Sequence, residues 1–224
     1  MEVKIEDKIN EIRALIEKIN DPLLKEKTLS VIEKCLFKSP YVFSPGAKKA
    51  HHSYPSGLID HILSTTNIAV SIAHQLERVY GCDVDFDTVI SASLLHDIMK
   101  PITYNLGESD KNSPLGHYLD HLTLSVMKLF QEGFPLKVIH AIASHHGEAG
   151  PTRPETIEAM IVHLADYIDS KLNGDILRKA RSICQEELKE SKEFNNFTQV
   201  VNIFEEQKKI LDRAQNEFTA SFSF

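Results

Sequence analysis

Apolar residues recur at three- and four-residue spacing through most of the chain, as in Ile5, Ile9, Ile12, Ile16 and Ile19. That period gathers them on one face of an α-helix. Strict alternation over strand lengths is scarce, so the expected fold class is all-α, a helical bundle with an N-terminal helical appendage. Asp21-Pro22 should break the first helix near Asn20, and a second is predicted over about 22–37. A loop rich in Pro, Ser and Gly (39–57) leads to a helix over about 58–80. Further helices are predicted near 87–98, 115–131, 135–146, 154–172, 175–192 and 197–218, with Gly133, Gly147, Gly150 and Gly174 as breaks. Residues 1–47 read as helices packed on a core formed by 48–224.

A chain of 224 residues with 42 % hydrophobic content can bury a full core without a disulfide scaffold. Cys35, Cys82 and Cys184 are scattered and lack CxxC spacing, which points to reduced thiols in a cytoplasmic protein. No apolar run approaches the roughly 20 residues that span a bilayer, and no signal-peptide h-region opens the chain, so no membrane partner is expected. A formal net charge of −7 disfavours long nucleic acids, whose non-specific binding rests on Lys and Arg. Oligomeric state is not legible.

The chemistry-bearing residues cluster. His61 lies beside the stripe of the 58–80 helix, His96-Asp97 ends a short helix apolar on most sides, and Asp166 sits on a third apolar helix. Helical bundles build metal sites from side chains on facing helices. A carboxylate in the apolar run SASLLHDIM needs a partner, and a cation supplies one. Imidazoles with carboxylates suit iron, manganese, cobalt, nickel or zinc, one or two ions. Two further sets are candidates for a second metal: His117 with His121, spaced i,i+4, and His145-His146. His163 and Asp169 flank Asp166 at i−3 and i+3, as outer partners that orient ligands. His51-His52 reads as loop near the entrance, the polar segment 103–114 as a loop at the mouth of the site, and His74 and His140 as structural.

The stretches KAHHSYPSGLIDH, ASLLHDIMK, LGHYLDH and IASHHGEAGPTRPETIEAMIVHLADYIDSK resemble the HD superfamily of metal-dependent phosphohydrolases over about 48–172. Within it they look most like the HD domain of bacterial exoribonucleases that carry an OB-fold. The resemblance implies that His61, His96, Asp97 and Asp166 hold one metal, with Asp97 able to bridge to a second. It places the second set at His117 and at His145 or His146, with His121 an alternate or outer partner; His52 is a further candidate outer partner. Two departures stand out: HDIMK puts Met99 where the family has glycine, and no OB-fold precedes the domain.

The function so implied is hydrolysis of a nucleotide or short phosphodiester by hydroxide from metal-bound water, whose pKa falls toward about 7. Lys100, and Arg153 or Lys171, are expected to neutralise the phosphate oxygens. Two other readings remain: a di-iron oxygenase on the same scaffold, separated by oxygen uptake without phosphate release, and a non-catalytic nucleotide-binding module.

Overall fold

From Thr88 to Leu95 the side chains are small or apolar on every side, and the run becomes the most enclosed helix of the bundle, with all eight residues buried. The structure, a computed structural model, describes residues 4–106, 111–186, 189 and 192–221, with side chains described to Phe218. In chain order the helices are α1 (Ile5–Ile16), α2 (Pro22–Ile32), α3 (Gly57–Tyr80), α4 (Phe86–Leu95), α5 (Lys100–Thr103), α6 (His121–Gln131), α7 (Leu136–Ala143), α8 (Ile157–Glu186) and α9 (Phe197–Ser221). Helix α4 is packed against α2, α3, α7 and α8. Among the described residues the only β-type pairing is the bridge between Tyr104 and Asn112, so the all-α expectation stands.

Local chemistry sets the helix ends. Asp21 accepts from the backbone N–H groups of Leu23 and Leu24, with Pro22 at the first helical position. Asp85 and Asp120 cap α4 and α6 in the same way. The N-terminal helices bury Ile12, Ile16, Leu24, Ile32 and Leu36 in the same apolar cluster as Leu58, Leu94, Leu95 and Ile98. Each such side chain contributes about 1.5–3 kcal/mol on burial. The second half of α8, Phe194 and the start of α9 build a smaller cluster with Leu177, Ala180, Ile183, Val200 and Ile203.

Several helix boundaries depart from expectation. Gly174 does not break the chain: α8 runs unbroken for 30 residues. Its missing side chain instead admits the 39–57 loop, because a Cβ there would lie 3.2 Å from the Ala50 carbonyl. The expected 115–131 helix is split into a 3-10 turn at Leu115–His117 and α6, since the Asp120 cap restarts the helix at His121. The predicted 175–192 helix is the second half of α8 as far as Glu186, and 187, 188, 190 and 191 lie outside the described residues. The 103–114 loop is tied by the Tyr104–Asn112 bridge, and its tip, 107–110, lies outside the described residues. Among the described helices none is long and apolar enough to cross a membrane. Cys184 is buried, while Cys35 and Cys82 are half-buried and free.

Candidate metal centre

Helices α3, α4 and α8 bring His61, His96, Asp97 and Asp166 together. His61 Nε2 lies 3.1 Å from Asp97 Oδ2, 3.2 Å from Asp166 Oδ1 and 3.0 Å from His96 Nε2. The turn after α4 places His96 and Asp97 side by side, both buried, and Pro101, which lacks an N–H, sits in the first turn of the short α5 that follows.

Tautomers follow from the partners. His96 Nδ1 donates to the Ser93 carbonyl at 2.8 Å, and His61 Nδ1 donates to Asp169 Oδ2 at 2.7 Å. His145 Nδ1 likewise donates to the Ile142 carbonyl at 2.7 Å. Each neutral ring is left with a lone pair on Nε2, so His61 and His96 point acceptor at acceptor across 3.0 Å, beside two carboxylates. Electron-pair donors assembled this closely in a buried space repel one another unless a cation sits among them. An N–H held by a carbonyl or carboxylate is the usual posture of a metal-binding histidine. The donor set therefore fits a divalent transition metal.

A second set adjoins the first. Ligand-capable atoms of His121, His145 and His146 lie within 4.8 Å of one another. His121 Nε2 is 3.2 Å and His145 Nε2 3.8 Å from Asp97 Oδ1, the oxygen turned away from His61. Both Asp97 Oδ1 and His121 Nε2 are buried without an aligned hydrogen bond. Asp97 thus presents one oxygen to each set.

Electrostatics follow this crowding. Burial opposes charge on Asp97, yet the Lys100 ammonium, His96 and the adjoining His121 and His61 rings hold its carboxyl well below the usual range. Asp166 and Asp169 are also lowered, against burial, by the histidines around them. Burial opposes charge on His61 too, but its three carboxylate partners raise its pKa well above the ordinary value. Burial pushes His145 and His51 down to about 3.

These shifts set the pH response of metal-free protein. Between about 3 and 6.5 the unfolded chain takes up a proton that folded His145 and His51 refuse, so stability is lost as pH falls through that window. The lowered carboxylates add to the acid-side loss. His61 acts oppositely: its contribution is present below about 6.5 and is lost as pH rises above that value. Melting temperature in chelator should therefore peak near pH 6.5, the ordinary histidine value. A steady rise from there to pH 9 would contradict the balance.

Several expected site residues sit elsewhere. His117 is exposed on its 3-10 turn, whereas His121, one turn later, faces the centre; the Asp120 cap separates them, so they do not share one helix face. Lys100 is buried and does not face open space: it donates to the Gly46 carbonyl at 2.7 Å and pairs with Asp97. Arg153 is exposed and paired with Glu148, and Lys171 is exposed and paired with Asp175. His163 donates to the His145 carbonyl at 2.8 Å, which anchors that turn without reaching the centre. His140 accepts from the Glu155 N–H, and His74 is exposed beside Glu77, both away from the cluster.

Other residues gather that sequence reasoning left in loops. The His51 ring is 5.0 Å from that of His61, with Nδ1 buried and without a hydrogen-bond partner. Tyr104 stands under Lys48, 5.6 Å from its ring centre, and burial raises its pKa against the pull of Lys100. No pattern in the chain marks Tyr104. The doubled histidine did mark the 51–52 segment.

The HD domain family model matches residues 58–171. Among curated proteins, the chain is similar to the dihydroneopterin 2',3'-cyclic phosphate phosphodiesterase of Methanocaldococcus jannaschii, 42 % identical over 183 residues that cover 76 % of this chain and 71 % of that protein. No solved structure matches. The expected likeness to exoribonuclease HD domains finds no support in these comparisons. With a family match over half its length, placed on the helices that carry His61, His96-Asp97 and Asp166, the chain belongs to the HD domain family.

Proposed function

We propose that this HD-domain phosphohydrolase opens a small cyclic phosphodiester to its monoester. The observation that carries the reading is the buried convergence of His61 Nε2, His96 Nε2 and the Asp97 and Asp166 carboxylates. The relative's named activity on a 2',3'-cyclic phosphate supports the substrate class.

His61, His96, Asp97 and Asp166 would hold one ion of iron, manganese, cobalt, nickel or zinc. His121, His145 and His146 would hold a second, with Asp97 between. Such an ion, when bound, supplies hydroxide near neutral pH and polarises the phosphoryl oxygens. The chain's own residues keep the donors aimed. Ser93 fixes His96, Asp169 fixes His61, and Lys100 with the Gly46 carbonyl fixes Asp97. His51 and Tyr104 lie against this cluster. In the overall reaction, water adds across one ring P–O bond. Phosphorus keeps its other ester bond, and the released oxygen leaves as an alcohol with the second proton.

The test is a metal-replete preparation assayed with manganese against dihydroneopterin 2',3'-cyclic phosphate, 2',3'-cyclic nucleotides, bis-p-nitrophenyl phosphate and short linear RNA. Cyclic phosphates should yield monoesters, and free phosphate should appear only after a phosphomonoesterase is added. Turnover of linear RNA with none of the cyclic esters would overturn the substrate class, and loss of no activity in chelator would overturn the metal.

A further inference from the structure

Asp169 accepts from two imidazoles at once, His61 Nδ1 at 2.7 Å and His52 Nε2 at 2.8 Å. A carboxylate only accepts, so both contacts require N–H donors. His52 Nδ1 lies 2.9 Å from the Tyr54 hydroxyl, whose single proton goes to Asp60. That hydroxyl also lies 3.1 Å from Asp60 Oδ2, and Asp60 Oδ1 is paired with Lys8 of α1 at 2.5 Å. The series runs from the first helix of the chain to the His61 ring.

The segment carrying it is held under strain. His52 adopts φ 43, a left-handed conformation rare for a residue with a side chain. Its N–H donates to Asn173 Oδ1 at 2.6 Å, and Gly57 lets its carbonyl come close, since a Cβ there would lie 2.0 Å from that oxygen. A strained residue persists when its surroundings over-determine it, and such residues gather at functional sites. His52, Tyr54 and Asp169 are all buried.

We propose that Tyr54, anchored by Asp60 and Lys8, is a positioning residue for the candidate metal ligand His61. Its hydroxyl hydrogen-bonds the His52 ring that contacts Asp169, and Asp169 in turn holds His61 with Nε2 facing the centre. This inference rests on the reading of His61 as a metal ligand. It gives the N-terminal helix a part in metal affinity, across contacts 52 residues apart in sequence.

The test measures manganese affinity by competition with a chromophoric chelator, with the melting temperature of each metal-free variant recorded in parallel. Asp169→Asn should weaken affinity by about 10- to 100-fold, as loss of a partner to a metal-binding histidine does. Tyr54→Phe keeps the ring and should weaken affinity by about 3- to 10-fold, the effect of one hydrogen bond, with metal-free melting unchanged. Phe197→Leu, whose ring is 6.3 Å from that of Tyr54, disturbs packing but not the hydroxyl and should leave affinity unchanged. Unchanged affinity in Tyr54→Phe overturns the proposal. So does a loss that Phe197→Leu reproduces, or one that tracks loss of folded protein. Wild-type protein that binds metal but hydrolyses no phosphodiester removes the functional reading alone. Wild-type protein that binds no divalent metal removes both.

Discussion

Asp97→Asn should lower cyclic-phosphodiester turnover by more than about 100-fold, because replacing even an outer partner of a metal ligand costs about 10- to 100-fold. The substitution keeps the size of the side chain and removes its charge. Lys100 retains the Gly46 carbonyl as a partner, so the fold has a way to accommodate the change. The effect is expected to be large because Asp97 serves both donor sets, Oδ2 toward His61 and Oδ1 toward His121. Metal content should fall with activity. A variant that keeps more than about a tenth of wild-type turnover at saturating manganese would remove Asp97 from the chemistry, since that loss is below even the outer-partner range.

Leu94→Ala should be the most damaging change away from the polar cluster. Leu94 is fully buried on the most enclosed helix, within the cluster that joins α1, α2, α3 and α4. Truncating a buried leucine costs about 2–5 kcal/mol, part lost transfer energy and part cavity. For a chain of this size that is a fall in melting temperature of about 4–20 °C. Leu211→Ala on the exposed length of α9, where the side chain is 59 % accessible, should stay within about 0.5 kcal/mol. Calorimetric melts of the two variants in chelator check the contrast. Equal losses would mean that α9 is packed in solution more tightly than its exposure indicates.

The fold class and the four residues of the central cluster were legible because each rests on local information. Helical period marks α1 and α3 within a few residues, and Asp97 announces itself as a carboxylate inside an apolar run. What was not legible depends on partners far away in sequence. His117 and His121 are equivalent by spacing, and only the Asp120 cap, which starts a new helix between them, decides which one faces the centre. Lys100, Arg153 and Lys171 are long, flexible cations whose direction no pattern specifies. Each is directed by a carboxylate: Asp97, Glu148 and Asp175. Gly174 looks like a punctuation mark, but its use is steric, since it admits the Ala50 carbonyl beside an uninterrupted helix. His51, Tyr54 and Tyr104 lie in segments without period, where sequence offers composition but no direction.

The uninterrupted α8 carries His163, Asp166, Asp169 and Asn173, which reach His145, His61 and His52 along a single ridge. An α-helix turns about 100° and rises about 1.5 Å per residue. One residue inserted or deleted between His163 and Asn173 would swing everything beyond it a quarter-turn or more out of line. This stretch can therefore drift by substitution but not by change of length, and length variation must be confined to the loops before and after the helix. The helix acts as a ruler, and its graduations are the residues that face the three histidines.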